Sequence, residues 1–324
     1  MWISIPFFIS YVTALPGNSL LIFIILTKRS LHEPMYLFLC MLAGADIVLS
    51  TCTIPQALAI FWFHAGDISL DRCITQLFII HSTFISESGI LLLMAFDRYI
   101  AICYPLRRPN PQVTEHAGPA QVAVVEMQCL RVGDKAGVTS LGVAVPLVVL
   151  TAKDRFCWTA VIRHFTCEYI ALLSIACGDL TFNWLGLAMW LVTVTSDLAL
   201  LGTSYTYIIY AAFQISSWGA QAKALHMCGS HLLVILTIYL SGLSTSIIFR
   251  VAKTVSQDVQ NLLSAIYLLL PGALNPVIYV VRTREIQQHG EKMFCGKETA
   301  QKAGEKPKRL QNMRVETARV RGLY

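Results

Sequence analysis

Charge is scarce in this sequence: only 14% of the 324 residues are Asp, Glu, Lys or Arg, against ~25% in an average soluble domain. With 55% hydrophobic residues and a mean hydropathy of +0.59, the composition excludes an ordinary soluble protein. Length alone would allow about two soluble domains, but one helical membrane bundle uses it fully. The ten cysteines never form a C-x-x-C pair, which argues against a zinc ribbon or a thioredoxin-type site. No Asn-x-Ser/Thr acceptor occurs, so N-glycosylation is not expected. No metal-spaced His/Glu set, nucleophile elbow or phosphate loop appears, so an enzyme is not expected. Met1 runs straight into Trp2-Ile3 without a basic lead or a small-residue cleavage site. The first apolar run is therefore expected to act as a signal anchor, with almost no outer N-terminal segment.

What is present is a series of apolar runs near the ~20 residues that cross a bilayer. Seven are read: Ile3–Leu26, Met35–Ile60, Ile74–Phe96, Ala136–Ala152, Asn183–Phe213, His231–Phe249 and Val259–Val281. The fourth is short and would span only by thinning the bilayer or borrowing neighbours. The expectation is an all-α membrane protein, a seven-transmembrane helix bundle with an atypical fourth-helix region. Basic residues collect on the cytoplasmic side of membrane proteins. Placing the N-terminus outside puts nineteen of the 25 Lys and Arg residues inside, eleven of them after Val281. The net charge of +6 is thus largely a property of the tail, and no nucleic-acid partner is expected. Residues 1–294 are read as the transmembrane domain and 295–324 as a basic, disordered cytoplasmic tail with some attraction to anionic membrane lipids. Arg108 to Lys135 is polar, Pro-rich at its start and without sustained periodicity; it is read as an atypical inner loop and entry to the fourth helix.

One stretch is more specific than any hydropathy pattern. Met94–Leu106 reads MAFDRYIAICYPL and sets Asp97-Arg98-Tyr99 at the end of a long apolar run. It stands in order with Gly17-Asn18, LHEPMYLFL at Leu31–Leu39, SYTYII at Ser204–Ile209, KALHMCGSHL at Lys223–Leu232 and PGALNPVIY at Pro271–Tyr279. This ordered set resembles the odorant receptors among the rhodopsin-like G-protein-coupled receptors. HEPMYLFL and FWFHAG (Phe61–Gly66) resemble their class I type, which tends towards hydrophilic acids as ligands. The resemblance implies a small-molecule odorant, a heterotrimeric G protein of the stimulatory type, a rise in cyclic AMP, and a multi-pass location in the plasma membrane. It also implies that Arg98 is held near Asp97 at rest and meets the G protein when the sixth helix swings out, with Tyr99, Tyr205 and Tyr279 as companions in the switch.

Asp46 and Glu87 fall inside the second and third spans, where an uncompensated charge costs several kcal/mol. With Asn18 and Asn275 they are placed to form one mid-membrane cluster. There the resemblance implies a sodium or proton site with Asp46 and Glu87 as ligands; the plainer reading is a pair of hydrogen-bonded acids that stabilise packing. No other cofactor is expected. Cys73, Cys157, Cys167 and Cys177 fall on the outer side, where disulfides form. Sequence alone allows three pairings; the family pattern implies Cys73–Cys167 and Cys157–Cys177.

The ligand site is read from spacing. His81 follows Cys73 by eight residues, ~12 Å along a helix rising about 1.5 Å per residue, in the outer third of the bundle. Phe84, Ile85 and Ser88 share its face. On the sixth span Ser246 and Arg250 are four residues apart, on one face. Arg can hold a carboxylate bidentately, so a small carboxylic acid is the expected ligand, with His81 and Ser246 as further donors. The plainer reading has Arg250 reaching for headgroups and His81 satisfied within the core. Two other identities stand beside the receptor: a receptor-derived chain that does not signal, suggested by Arg108–Lys135 and the short fourth span, and a transporter or channel, which would be expected to show paired broken helices in matching halves.

Overall fold

The computed structural model describes residues 4–28, 31–63, 68–103, 166–167, 181–251 and 257–282, with a few positions between 142 and 172 and at 286–287. Six long helices account for most of them: α1 (Ser4–Thr27), α2 (Pro34–Phe63), α3 (Leu70–Cys103), α4 (Thr181–Phe213), α5 (Trp218–Val251) and α6 (Gln257–Arg282). No strand occurs among the described residues. The helices belong to the unit Met1–Arg282, and Thr283–Tyr324 forms a second unit. The predicted tail 295–324, the segment 108–135 and most of the fourth predicted span lie outside the described residues.

Five of the helices carry a membrane-length apolar window: Ser4–Thr27, Pro34–Phe63, Leu70–Cys103, Trp218–Ser244 and Leu262–Val280. Their outward faces are apolar. Ile9, Val12, Phe23 and Leu26 of α1 and Leu236 and Leu240 of α5 are all exposed. In water this would be unfavourable; against lipid tails it costs nothing, because the surroundings are as apolar as the side chains. Six predicted spans are found with their centres in place, but several helices outrun the bilayer. α3 continues from Phe96 to Cys103, and α5 starts at Trp218 where the apolar run begins only at His231. Hydropathy marks where lipid ends, whereas a helix ends only where its backbone pairing is broken, and the polar residues 218–230 include good helix formers.

Many hydroxyl side chains inside the helices are satisfied locally. Thr53 Oγ1 donates to the Leu49 carbonyl at 2.8 Å, Thr203 to Ala199 at 2.7 Å and Ser241 to Thr237 at 2.7 Å. Such bonds to the preceding turn let Ser and Thr sit where no water is available. α3 lies between α2 on one side and α4 and α5 on the other, while α1, α2 and α6 pack together. Its buried residues recur at i+3 and i+4 from Cys73 through Gln76, Leu77, Ile80, Thr83, Glu87, Ile90, Leu91 and Met94 to Arg98.

Close approach of α1 and α6 depends on one glycine. A Cβ on Gly17 would lie 3.1 Å from Pro276 Cγ and 3.2 Å from Pro276 Cβ, whereas one on Gly44 would meet nothing within 4 Å. Gly17→Val is expected to force these helices apart at a cost of ~1–3 kcal/mol, and Gly44→Ala to be tolerated. Thermal unfolding of the detergent-solubilised chain would distinguish them; equal stability of the two variants would contradict the packing described.

Candidate functional site

At the predicted outer end, Cys73 in the first turn of α3 is disulfide-bonded to Cys167, with their Cα atoms 5.2 Å apart. Both are buried in an apolar cluster with Leu77, Val148 and Leu172. Cys157 and Cys177 lie outside the described residues. Cys40, Cys52, Cys103 and Cys228 are free thiols.

One face of α3 runs inward from there. His81 is half-buried, with Nδ1 3.0 Å from the Leu77 carbonyl. Phe84 packs on Tyr267 of α6, ring centroids 6.0 Å apart, and Ile85 is half-buried. Ser88 is buried and does not face open space. Its hydroxyl is hydrogen-bonded to the Asp197 carboxylate of α4 and lies 2.9 Å from the Tyr239 hydroxyl of α5, which donates to the same Asp197 Oδ2 at 3.2 Å. Three helices thus meet on one carboxylate oxygen. The sequence reading missed Asp197 and Tyr239. The signal was available: Asp197 is a third acid inside an apolar run, VTVTSDLALL, and such residues usually carry function. Ser246 and Arg250 fall in α5, but their side chains lie outside the described residues.

A second polar cluster sits on the opposite side of α3. Asp46 of α2 is 1% exposed and accepts a bond from Asn275 Nδ2 of α6 at 2.9 Å. Asn18 Nδ2 of α1 donates to the carbonyls of Ala14 and Gly272, both at 2.9 Å. Gly272 is needed here, since a Cβ would lie 3.3 Å from Ser50 Oγ and 3.6 Å from Asp46 Oδ1. Glu87, buried on α3, is within electrostatic reach of Asp46. Asn18 Oδ1, Asp46 Oδ1, Glu87 Oε1 and Asn275 Oδ1 are buried without a hydrogen-bond partner. Unpaired buried oxygens of this kind usually have an explanation, and an all-oxygen donor set suits a hard cation. Among the described residues no three His, Cys, Asp or Glu side chains gather as a metal site, so the amide and hydroxyl oxygens would have to complete any sphere.

At the predicted inner end Arg98 is buried. It lies within electrostatic reach of Tyr205, Cys228, His231 and Tyr279. Tyr205 of α4 and His231 of α5 share a hydrogen bond, Oη to Nδ1 at 2.5 Å, while Tyr279 Oη is buried without a hydrogen-bond partner. Tyr99 packs edge-on against Tyr207, centroids 6.1 Å apart. Asp97 is half-buried. Of the five predicted switch residues, Arg98, Tyr205 and Tyr279 come together in the core, and Asp97 and Tyr99 lie towards its edge. His231 is an addition that the KALHMCGSHL block contained but its wording did not single out.

Buried polar groups strung along a central helix, inside a bundle whose outward faces are apolar, are the construction of a helical membrane protein. The family follows from comparison. The sequence model of the olfactory receptor family matches residues 7–297. Human olfactory receptor 52B4 is 54% identical over 289 residues, 89% of this chain and 88% of the relative. Olfactory receptor 52Z1P is 44% identical, covering 88% of this chain and 92% of the relative, and olfactory receptor 52B2 is 41% identical, covering 89% and 86%; both are human. The chain belongs to the olfactory receptor family. It is an odorant G-protein-coupled receptor with a seven-helix bundle in the plasma membrane, and not an enzyme.

Because Ser88 and Tyr239 share one Asp197 oxygen, their contributions should not add. Ser88→Ala and Tyr239→Phe are each expected to cost ~1–3 kcal/mol, as losing one partner of a buried hydrogen bond does, with a coupling energy above ~0.5 kcal/mol in the double variant. Additive losses in thermal unfolding would show that the two hydroxyls act separately.

Proposed function

We propose that this receptor takes a small carboxylic acid and activates a stimulatory G protein to raise cyclic AMP. The feature that carries the ligand assignment is the outer half of the α3 face, where His81 stands above Phe84 and Ile85. Asp197 lies deeper, bonded to Ser88 and Tyr239, and offers a carboxylate nothing, so the head group belongs nearer the outer end, at the level of His81. There Arg250 and Ser246 of the sixth transmembrane helix would supply the donors, joined by His81 Nε2 when the ring is protonated, since Nδ1 faces the Leu77 carbonyl, and the alkyl tail would lie along Phe84 and Ile85 towards Ser88. Charge-assisted bonds contribute ~1.5–3 kcal/mol each, enough to orient a ligand of few atoms.

Signalling would start from the bonds to Asp197. Ser88, Asp197 and Tyr239 join α3, α4 and α5, so a ligand that shifts Tyr239 biases α5, whose inner half carries His231 and its bond to Tyr205. Release of that bond would free Tyr205 and let Arg98 meet the G protein alongside Asp97 and Tyr99, with Tyr279 packing against the opened state. The stimulatory type of G protein rests on the resemblance to odorant receptors. In the Asp46–Glu87 cluster the unpaired oxygens fit a sodium ion, which would offset one carboxylate charge while the other acid stays protonated, and would favour the resting packing. The basic tail would add attraction to anionic lipids.

In cells reporting cyclic AMP, straight-chain acids of three to nine carbons serve as probes. Arg250→Ala and His81→Ala are each expected to raise the half-maximal concentration by about 10- to 100-fold, which is the loss of one such bond at ~1.4 kcal/mol per tenfold. Unchanged potency in Arg250→Ala would end the acid-site reading. A chain displayed at the surface yet silent to acids, alcohols and amines alike would favour the non-signalling reading suggested by 108–135. Separately, Asp46→Asn and Glu87→Gln are expected to abolish any sodium dependence of the basal signal; persistence of that dependence in both would exclude the ion site.

A further inference from the structure

Pro55 sits inside α2. It has no N–H, so the Thr51 carbonyl loses its helical partner, and the ring pushes the preceding turn open. Gln76 of α3 lies against this opened turn. Its Nε2 donates to the Cys52 carbonyl at 2.9 Å and to Gln56 Oε1 at 3.0 Å. Its Oε1 accepts the backbone N–H of Cys167 at 2.7 Å. The side chain is 4% exposed, and both of its donors and its acceptor are used. The amide can sit only this way round. A flip would set NH2 against the Cys167 N–H and oxygen against the Cys52 carbonyl, placing donor on donor and acceptor on acceptor.

Gln76 follows Cys73 by three residues, so both project from one face of α3. The same loop residue, Cys167, is therefore held twice: through sulfur to Cys73 and through its N–H to Gln76, one turn deeper. The apolar cluster of Cys73, Leu77, Val148, Cys167 and Leu172 keeps water from replacing the second bond.

We propose that Gln76 is a positioning residue of the receptor's outer end: it fastens Cys167 to the proline-opened turn of α2 through a route separate from the disulfide. The role rests on membership of the receptor family and not on the acid-ligand reading, and its test needs no ligand. If the bond to the Cys167 N–H holds the loop in place, it also favours the paired state of Cys73 and Cys167. Losing it leaves a buried N–H that only departure of the loop can relieve.

The full chain in cell membranes would be equilibrated in dithiothreitol redox buffers, and pairing of Cys73 with Cys167 read by differential alkylation and mass spectrometry. Gln76→Met keeps the packing but removes all three bonds. It is expected to shift the equilibrium about tenfold towards the thiols, ~30 mV for a two-electron couple. Gln76→Glu, held as the neutral acid, keeps an oxygen for the Cys167 N–H and an O–H for the Cys52 carbonyl and is expected to stay within about twofold of the parent, as is Gln56→Leu, which loses one of the two α2 partners. Should Gln76→Met misfold, its two thiols will be unpaired before reductant is added, and Gln76→Glu with Gln56→Leu then decides. An unshifted Gln76→Met would overturn the proposal. So would a Gln76→Glu shift as large as that of Gln76→Met, or a Gln56→Leu shift of the same size.

Discussion

Inside a bilayer a polar group has no water to fall back on, so each one must be answered by protein or by an ion. The arrangement of this bundle follows from that constraint. Backbone groups are satisfied by making nearly every described residue helical, and isolated hydroxyls by bonding to the previous turn. What remains are the side chains too long or too charged for local answers: Asn18, Asp46, Gln76, Glu87, Arg98, Asp197, His231 and Asn275, all buried. These cannot be satisfied within one helix. Their mutual satisfaction holds the helices in register, where lipid-facing Leu and Ile supply no direction.

α3 is where these requirements meet. Glu87 and Ser88 are consecutive, and consecutive helical residues point about 100° apart. One therefore belongs to the cluster shared with α1, α2 and α6 while the other belongs to the cluster shared with α4 and α5. Gln76 does the same nearer the outer end, touching α2 on one side and the loop on the other. A small rotation or slide of α3 must alter both clusters together, which is the property a receptor needs if an event in its outer half is to be felt at Arg98.

Much of this was readable in the residues. Six of the seven predicted spans coincide with described helices, because twenty apolar residues in a row have few other fates. Asp46, Glu87 and Arg98 stood out for the same reason, as charges where charges are expensive. Asp197 carried that signal too, yet the face argument that started from His81 looked only along α3 and not across to α4. Ser88 was read as lining the ligand site; its hydroxyl is taken up by Asp197 and Tyr239. The lengths of α3 and α5 were underread because hydropathy reports the lipid boundary and not the end of backbone pairing.

By itself, the sequence determined the class, the positions of six spans and the family, since these depend on composition and on blocks of neighbouring residues. Only the tertiary structure decided which buried groups answer one another: Gln76 with Cys167 and Cys52, Ser88 with Asp197 and Tyr239, Tyr205 with His231, and Asn275 with Asp46. These partners stand between 24 and 229 residues apart. A hydrogen bond needs its atoms within about 3 Å, and no local pattern fixes a distance that short across two helices until the packing of the whole bundle has set it.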